Sequence, residues 1–286
     1  MKNIIHISAA RRRDGITGGV EKFAWYLEKA VGCKLLLDNE YDGQYDGNTI
    51  FIVDGDHGRN IPPEAPIISV AHGTWAGLHR RWLTNDINDH TERSQISRWH
   101  LPNVKVVSVS SGVTYELQTL CNKEPDIEIL HGIDTDLFVP KQHNNKKPVI
   151  LHVAQSEGKG LHLMNEIQEL LPEFEVRYLN AEIGEEHIKF AEGDIFLHAS
   201  LSDGNSYACL EAMSCNLPCV VTNVGLFHNF DESQIGRILP YTSTPKDYAN
   251  AIRDLWECKD VNTREFIERY VTFNQFKFNW EKYING

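Results

Sequence analysis

The chain has 286 residues, a formal net charge of −12 with its 13 histidines neutral, and 41% hydrophobic residues. That length buries one large core or two modest ones, and two is the expected count. The acidic balance argues against indiscriminate binding to nucleic acid or anionic membrane, and no apolar run approaches the length of a transmembrane helix.

From the N-terminus, residues 1–10 carry a short apolar centre followed by Arg11-Arg12-Arg13. The centre is too short for a signal peptide, so a first β-strand at Asn3–Ser8 is the better reading. A basic, Gly-rich loop ending in Gly18-Gly19 then leads into a helical pattern over 20–31. Short β-type runs follow at Lys34–Leu37, 49–53, 66–71 and Val104–Ser108, with 130–133 as the last strand of a first sheet. The polar run Lys141-Gln142-His143-Asn144-Asn145-Lys146-Lys147 has no apolar periodicity and reads as a linker. A second sheet begins at 149–154, followed by a helix over 161–171 and a strand at 175–179. The closing segment, with Phe273, Phe276, Phe278, Trp280 and Tyr283, reads as an aromatic-rich helix. Strands alternating with helices predict an α/β architecture of two Rossmann-like domains with parallel sheets and a ligand cleft at the strand ends. The six cysteines (Cys33, Cys121, Cys209, Cys215, Cys219, Cys258) form no C-x-x-C pair, so reduced thiols in a cytoplasmic protein are expected. The histidines show no H-x-x-x-H or H-E-x-x-H spacing, and no metal is expected.

The most informative stretch is 194–225, DIFLHASLSDGNSYACLEAMSCNLPCVVTNVG. An apolar run at 195–197 enters a polar turn, Ser202-Asp203-Gly204-Asn205-Ser206. A helical pattern with Leu210, Met213 and Leu217 inward follows, then a second apolar run at 218–221. A helix opening on such a loop presents free backbone N–H groups to an anion, and the acids of Asp203-x7-Glu211 supply hydroxyl acceptors on either side. Phosphate between two polyols describes a nucleotide-sugar. An ordinary βαβ unit with two solvated acids fits the spacing equally well.

The stretch resembles the signature of retaining GT-B glycosyltransferases, especially family 4, E-G-F-G-x-x-x-x-E-A-M-A-x-G-x-P-V-V. Gly204, Glu211, Ala212, Met213, Pro218 and Val220 match, with Val221 continuing the apolar run; Asp203, Asn205, Ser206 and Asn216 stand where the pattern has Glu, Phe, Gly and Gly. The resemblance implies an acceptor-binding domain over 1–143, a nucleotide-sugar domain over 144–270, and a last helix over 271–286 crossing back onto the first. It implies a sugar transferred from a nucleoside diphosphate, UDP- or GDP-linked, with retention of configuration and without metal or other cofactor. In the implied roles, Glu211 meets the ribose and Asp203 the transferred sugar. Gly204, Asn205, Ser206 and Tyr207 lie along the donor.

Other motifs extend the resemblance. Gly18 and Gly19 stand where the family has its N-terminal glycine loop beside the donor, although a lone Gly-Gly before a helix is more often a turn. His72, in Ala71-His72-Gly73 just past a β-run, resembles the histidine that contacts the transferred sugar; a merely structural histidine fits too. Gly132-Ile133-Asp134 with Phe138 and Pro140 resembles a family turn, with Asp134 capping locally. Gln155 and Lys159, in 153–160, resemble a loop whose Arg and Lys neutralise the leaving diphosphate, but an amide at 155 cannot balance charge. Arg11, Arg12 and Arg13, and Arg80-Arg81 between Trp75 and Trp82, suggest an anionic acceptor: a glycan, a phospholipid or a modified DNA base. Val53-Asp54-Gly55-Asp56-His57-Gly58 looks like a metallophosphatase fragment but lacks the partner motifs. The competing readings are a catalytically weak binding relative and a GT-B nucleotide-sugar epimerase.

Overall fold

A computed structural model describes residues 3–8, 18–55, 57–81, 89–140, 145–179, 181, 184–258 and 261–286. Arg11, Arg12, Arg13 and Trp82, with residues 141–144 of the polar run, lie outside the described residues. The chain divides into two compact units, Met1–Gly132 with Phe273–Gly286, and Ile133–Thr272.

The first unit runs β1 (Asn3–Ser8), α1 (Gly19–Val31), β2 (Lys34–Leu37), β3 (Thr49–Asp54), β4 (Ile67–Ala71), α2 (Trp75–Arg81), α3 (Asp89–Trp99), β5 (Val104–Ser108), α4 (Ser111–Leu120) and β6 (Ile127–Glu128). Its six strands lie in the order β2-β1-β3-β4-β5-β6, every neighbouring pair parallel. β3 and β4 are buried at every position, the pattern of parallel strands covered on both faces. Phe23, Leu27 and Ala30 form the buried stripe of α1, which stops at Gly32 in the left-handed conformation. Ser110 starts α4 by accepting a 3.3 Å hydrogen bond from Val113 N.

The last strand of this sheet is Ile127–Glu128, not the run at 130–133. Its register ends where Ser108 pairs with Glu128. Ile133 is drawn instead into a parallel bridge with Thr272, its N–H bonded to Val271 O at 2.8 Å.

The second unit runs β7 (Val149–His152), α5 (Leu161–Leu170), β8 (Glu175–Tyr178), α6 (Glu186–Phe190), β9 (Ile195–His198), α7 (Tyr207–Ser214), β10 (Cys219–Thr222), β11 (Gly236–Leu239), α8 (Pro245–Cys258) and α9 (Thr263–Tyr270). Its five strands are also all parallel, in the order β11-β10-β9-β7-β8. The division from the first unit falls after Gly132 rather than after residue 143. The reason is that the segment before the polar run is built into the second unit. Phe138 packs edge-on to Phe190, and Arg264 donates to Phe138 O at 2.8 Å and Thr135 O at 3.0 Å. Asp134 caps the turn locally, its Oδ1 accepting from the N–H groups of Asp136 and Leu137 at 3.1 Å.

The final helix, α10 (Phe273–Asn285), returns to the first unit. Phe276 and Trp280 are buried there, each ring 6.0 Å from that of Phe23. Burying an aromatic side chain of this kind is worth about 1.5–3 kcal/mol. Gly132 lies so close to this helix that a Cβ would collide with the Phe276 side chain. Among the described residues no helix is long and apolar enough to cross a membrane, and all six cysteines are free.

Candidate functional site

Each sheet has one point where the chain reverses the direction in which it adds strands, between β1 and β3 in the first unit and between β7 and β9 in the second. Loops leaving the carboxyl ends of strands diverge there and leave a crevice for ligands. Most of the candidate residues stand at these two points.

In the second unit, the loops after β7 and β9 are tied together. Leu201 N donates to Gly158 O at 2.9 Å and Ser200 Oγ to the same oxygen at 3.3 Å. Lys159 Nζ donates to Ser202 O at 3.0 Å and to Asp203 Oδ2 at 2.8 Å. That carboxylate oxygen also lies 3.0 Å from His198 Nε2. Burial would raise the Asp203 carboxyl, but the Lys159 ammonium and the His198 hydrogen bond outweigh it and hold Asp203 well below the usual carboxylate range. Beyond the loop, Ser206 caps α7, whose first turn carries no acidic residue. No acid of that first turn therefore opposes the helix's N–H groups and the positive end of its dipole. Asn205, Ser206, Tyr207 and Glu211 are all buried, Glu211 one turn into the helix. Gln155 donates through Nε2 to the Tyr178 hydroxyl at 2.6 Å. His152, at the end of β7, is pushed down to about 4 by burial, and its Nδ1 accepts from Ala154 N.

In the first unit, a buried acid replaces the loop lysine as the centre. Asp54, the last residue of β3, is 3% exposed, and a single oxygen, Oδ1, lies 3.0 Å from His6 Nε2 of β1 and 2.9 Å from His72 Nε2 just past β4. Burial would raise this carboxyl as well, but the attraction and hydrogen bonds of His6 and then His72 hold it far below its ordinary value. Phe23 of α1 presents its edge to His72 at 4.7 Å and packs 5.4 Å from His131.

Residues 147–258 match the family described as glycosyl transferases group 1. This segment is a group 1 glycosyltransferase domain. Over 94 residues the chain is 34% identical to D-inositol 3-phosphate glycosyltransferase of Paenarthrobacter aurescens, a match covering 32% of this chain and 22% of that protein. Among solved structures it resembles sucrose-phosphate synthase from Thermosynechococcus elongatus, with a TM-score of 0.79 at 12% identity over 99% of this chain and 98% of the other. It also resembles HepE from Anabaena, solved in complex with UDP and glucose, with a TM-score of 0.74 at 12% identity over the whole of both chains. The fold is GT-B, as the resemblance of the 194–225 stretch implies.

Within this domain the structure brings Lys159, Asp203, Gly204, Asn205, Ser206 and Tyr207 to one loop pair, with Glu211 following on α7. It does not leave Gln155 Nε2 idle, since Tyr178 takes it up. In the first unit the candidates are treated unequally. Gly18 caps α1, but Glu21 folds over that helix start so closely that a Cβ on Gly18 would meet its carboxylate, while Gly19 faces open space. Trp75 is 37% exposed and Arg80 is exposed. Arg81 is committed elsewhere: it pairs through Nη1 with the buried carboxylate of Glu116, which also accepts from Thr74 Oγ1 at 2.6 Å. A buried carboxylate demands a cation, and Arg81 supplies it to Glu116. Two residues of these clusters are assigned no role from the sequence. His198 ends the apolar strand β9, and Asp54 belongs to the fragment that looks like a phosphatase motif. Among the described residues no cluster of His, Cys, Asp or Glu is arranged to hold a metal ion.

Proposed function

We propose that this chain transfers a sugar from a nucleoside diphosphate sugar to an acceptor hydroxyl with retention of configuration. The observation that carries the reading is the loop pair holding Lys159 and Asp203 against the acid-free start of α7 inside the group 1 domain. In this reading the α7 N–H groups with Gly204, Asn205 and Ser206 hold the diphosphate, and Glu211 accepts from the ribose. Asp203 and His72 hold hydroxyls of the transferred sugar. The bond from the anomeric carbon to the diphosphate breaks as the acceptor oxygen bonds to that carbon, and the departing diphosphate takes the acceptor proton. Lys159 and the helix dipole stabilise the charge that develops, and the reaction is assigned no metal. Gly18 and Gly19 line the donor, while Trp75, Arg80 and Arg11 to Arg13 are assigned to an anionic acceptor such as a glycan, a lipid or a modified DNA base. Cytoplasmic location belongs to the same proposal.

One arrangement favours a second reading, a binding relative with weak catalysis. Lys159 is already neutralised by Asp203, and Gln155 is bonded to Tyr178, so the site holds no surplus cation among these three residues.

Calorimetry with UDP, GDP and ADP, followed by an assay for nucleoside diphosphate release from the corresponding sugars, tests both. Binding with turnover in EDTA supports the metal-free transferase. Binding without turnover supports the weak relative, and no binding overturns both. Glu211→Ala should weaken nucleotide binding, whereas Asp203→Ala should chiefly lower turnover.

A further inference from the structure

The Asp54 cluster in the first unit has a proton inventory that its geometry restricts. Asp54 is ionised, and an ionised carboxylate only accepts. Both imidazoles that approach Oδ1 do so through Nε2, so each must carry its proton on Nε2. When a ring is neutral, its second nitrogen is then the acceptor. For His6 it is Nδ1, buried and without a hydrogen-bond partner among the described residues. For His72 the ring is 16% exposed, and Nδ1 makes no hydrogen bond among the described residues. Two more atoms at the same end of β1 and β3 are buried and unsatisfied among the described residues, Ser8 Oγ and Asp54 Oδ2. Buried polar atoms are rarely left so in folded proteins, and such a cluster at a strand-order reversal marks a place built for polar ligand groups.

We propose that Asp54 is a positioning residue: it takes the Nε2 proton of His72, anchored from behind by His6, and turns a bare Nδ1 outward to accept a hydrogen bond from a substrate hydroxyl. The role of Asp54 rests on the glycosyltransferase reading, but the tautomer does not. Phe23 supports the same geometry, its edge against the His72 ring keeping the imidazole in one orientation. A histidine without Asp54 as its partner would not have its tautomer fixed and could present an N–H where an acceptor is needed. His6 stays inside the sheet and acts only through Asp54.

The test is nitrogen NMR of the full chain labelled at histidine, with the His72 signals assigned by their loss in His72→Gln. The expected wild-type pattern is a protonated Nε2 and an unprotonated Nδ1 for His72 at the pH of the assay. A proton on Nδ1 overturns the proposal outright. In Asp54→Asn, His72 should show mixed tautomers, and turnover of the nucleotide-sugar should fall about tenfold or more, the worth of one well-placed hydrogen bond in the transition state. UDP affinity, measured separately, should stay within about twofold, because the second unit is assigned to the nucleotide. An unchanged tautomer with unchanged turnover also overturns the proposal. If Asp54→Asn does not fold, the wild-type spectrum still decides. A chain that consumes no nucleotide-sugar removes the transferase reading, while the tautomer measurement stands by itself.

Discussion

Lys159 Nζ lies 2.8 Å from Asp203 Oδ2, an ion pair that helps tie the loop after β7 to the loop after β9. The pair is neutral before any ligand arrives, so a bound diphosphate must compete with Asp203 for the ammonium. Lys159→Met should therefore act twice. It should lower stability by about 1 kcal/mol, a modest figure because Lys159 is 40% exposed and water screens the pair. It should also weaken binding of a nucleoside diphosphate, whereas Lys159→Arg keeps the charge and should retain most of it. Thermal melts and calorimetry on the two variants read the two effects separately.

The same pair makes stability depend on acid. Asp203 is held below its ordinary value in the folded chain, so it contributes stability that is fully present above the unfolded carboxyl value of about 3.9. That contribution is lost as pH falls from there toward the folded value. Asp203→Asn should be less stable than the wild type at neutral pH, and the gap should close as pH drops below about 4. Chemical denaturation across this range checks it; a gap that widens in acid would reverse the sign and refute the assignment.

Much of the fold is legible because buried parallel strands read as apolar runs: Ile50 to Val53, Ile67 to Ala71 and Ile195 to Leu197 announce themselves without any long-range information. The loop after β9 is legible for a similar reason, since its glycine, amide and hydroxyl must be consecutive to open a helix. Asp54 is not legible. Its partners are 48 residues before and 18 residues after it, and only the register of β1, β3 and β4 brings them to one oxygen. The attachment of residues 133–140 to the second unit is equally hidden. It depends on Arg264, whose guanidinium reaches Thr135 O across 129 residues of sequence, whereas composition breaks later, at the polar run. Arg81 shows the converse case, a partner that the local sequence does not announce. Its cluster of basic and aromatic residues reads as an anion site, while the buried Glu116 that pairs with Arg81 lies 35 residues on.

That last distinction separates two neighbouring arginines. Arg81→Gln leaves the Glu116 carboxylate, 9% exposed on its side chain, without its cation and should destabilise the first unit by about 2–4 kcal/mol. Arg80→Gln, on an exposed side chain, should stay within about 0.5 kcal/mol of the wild type. If Arg80 meets an anionic acceptor, its loss should raise the acceptor KM with the melt unchanged. Equal melts for the two variants would show that the Glu116 pair does not hold the structure.

Gly225 provides the most direct test of how the loop after β9 is held. It sits at φ +56, a conformation that costs any other residue, and a Cβ there would collide with the carbonyl oxygens of Asp203 and Gly204. Both obstacles are backbone, so no side-chain rotation can relieve them. Gly225→Ala must either move the Asp203–Gly204 backbone or displace the turn that follows β10. The strain alone is worth about 1–3 kcal/mol, which for a chain of this size lowers the melting temperature by roughly 2–4 °C per kcal/mol. Because Lys159 is bonded to Ser202 O and Asp203, a shift of that backbone also disturbs the phosphate side. Gly225→Ala should therefore lose nucleoside diphosphate affinity although residue 225 supplies no side chain to the site. A variant that melts lower but binds the diphosphate as the wild type does would show that the turn, not the Asp203 loop, gives way.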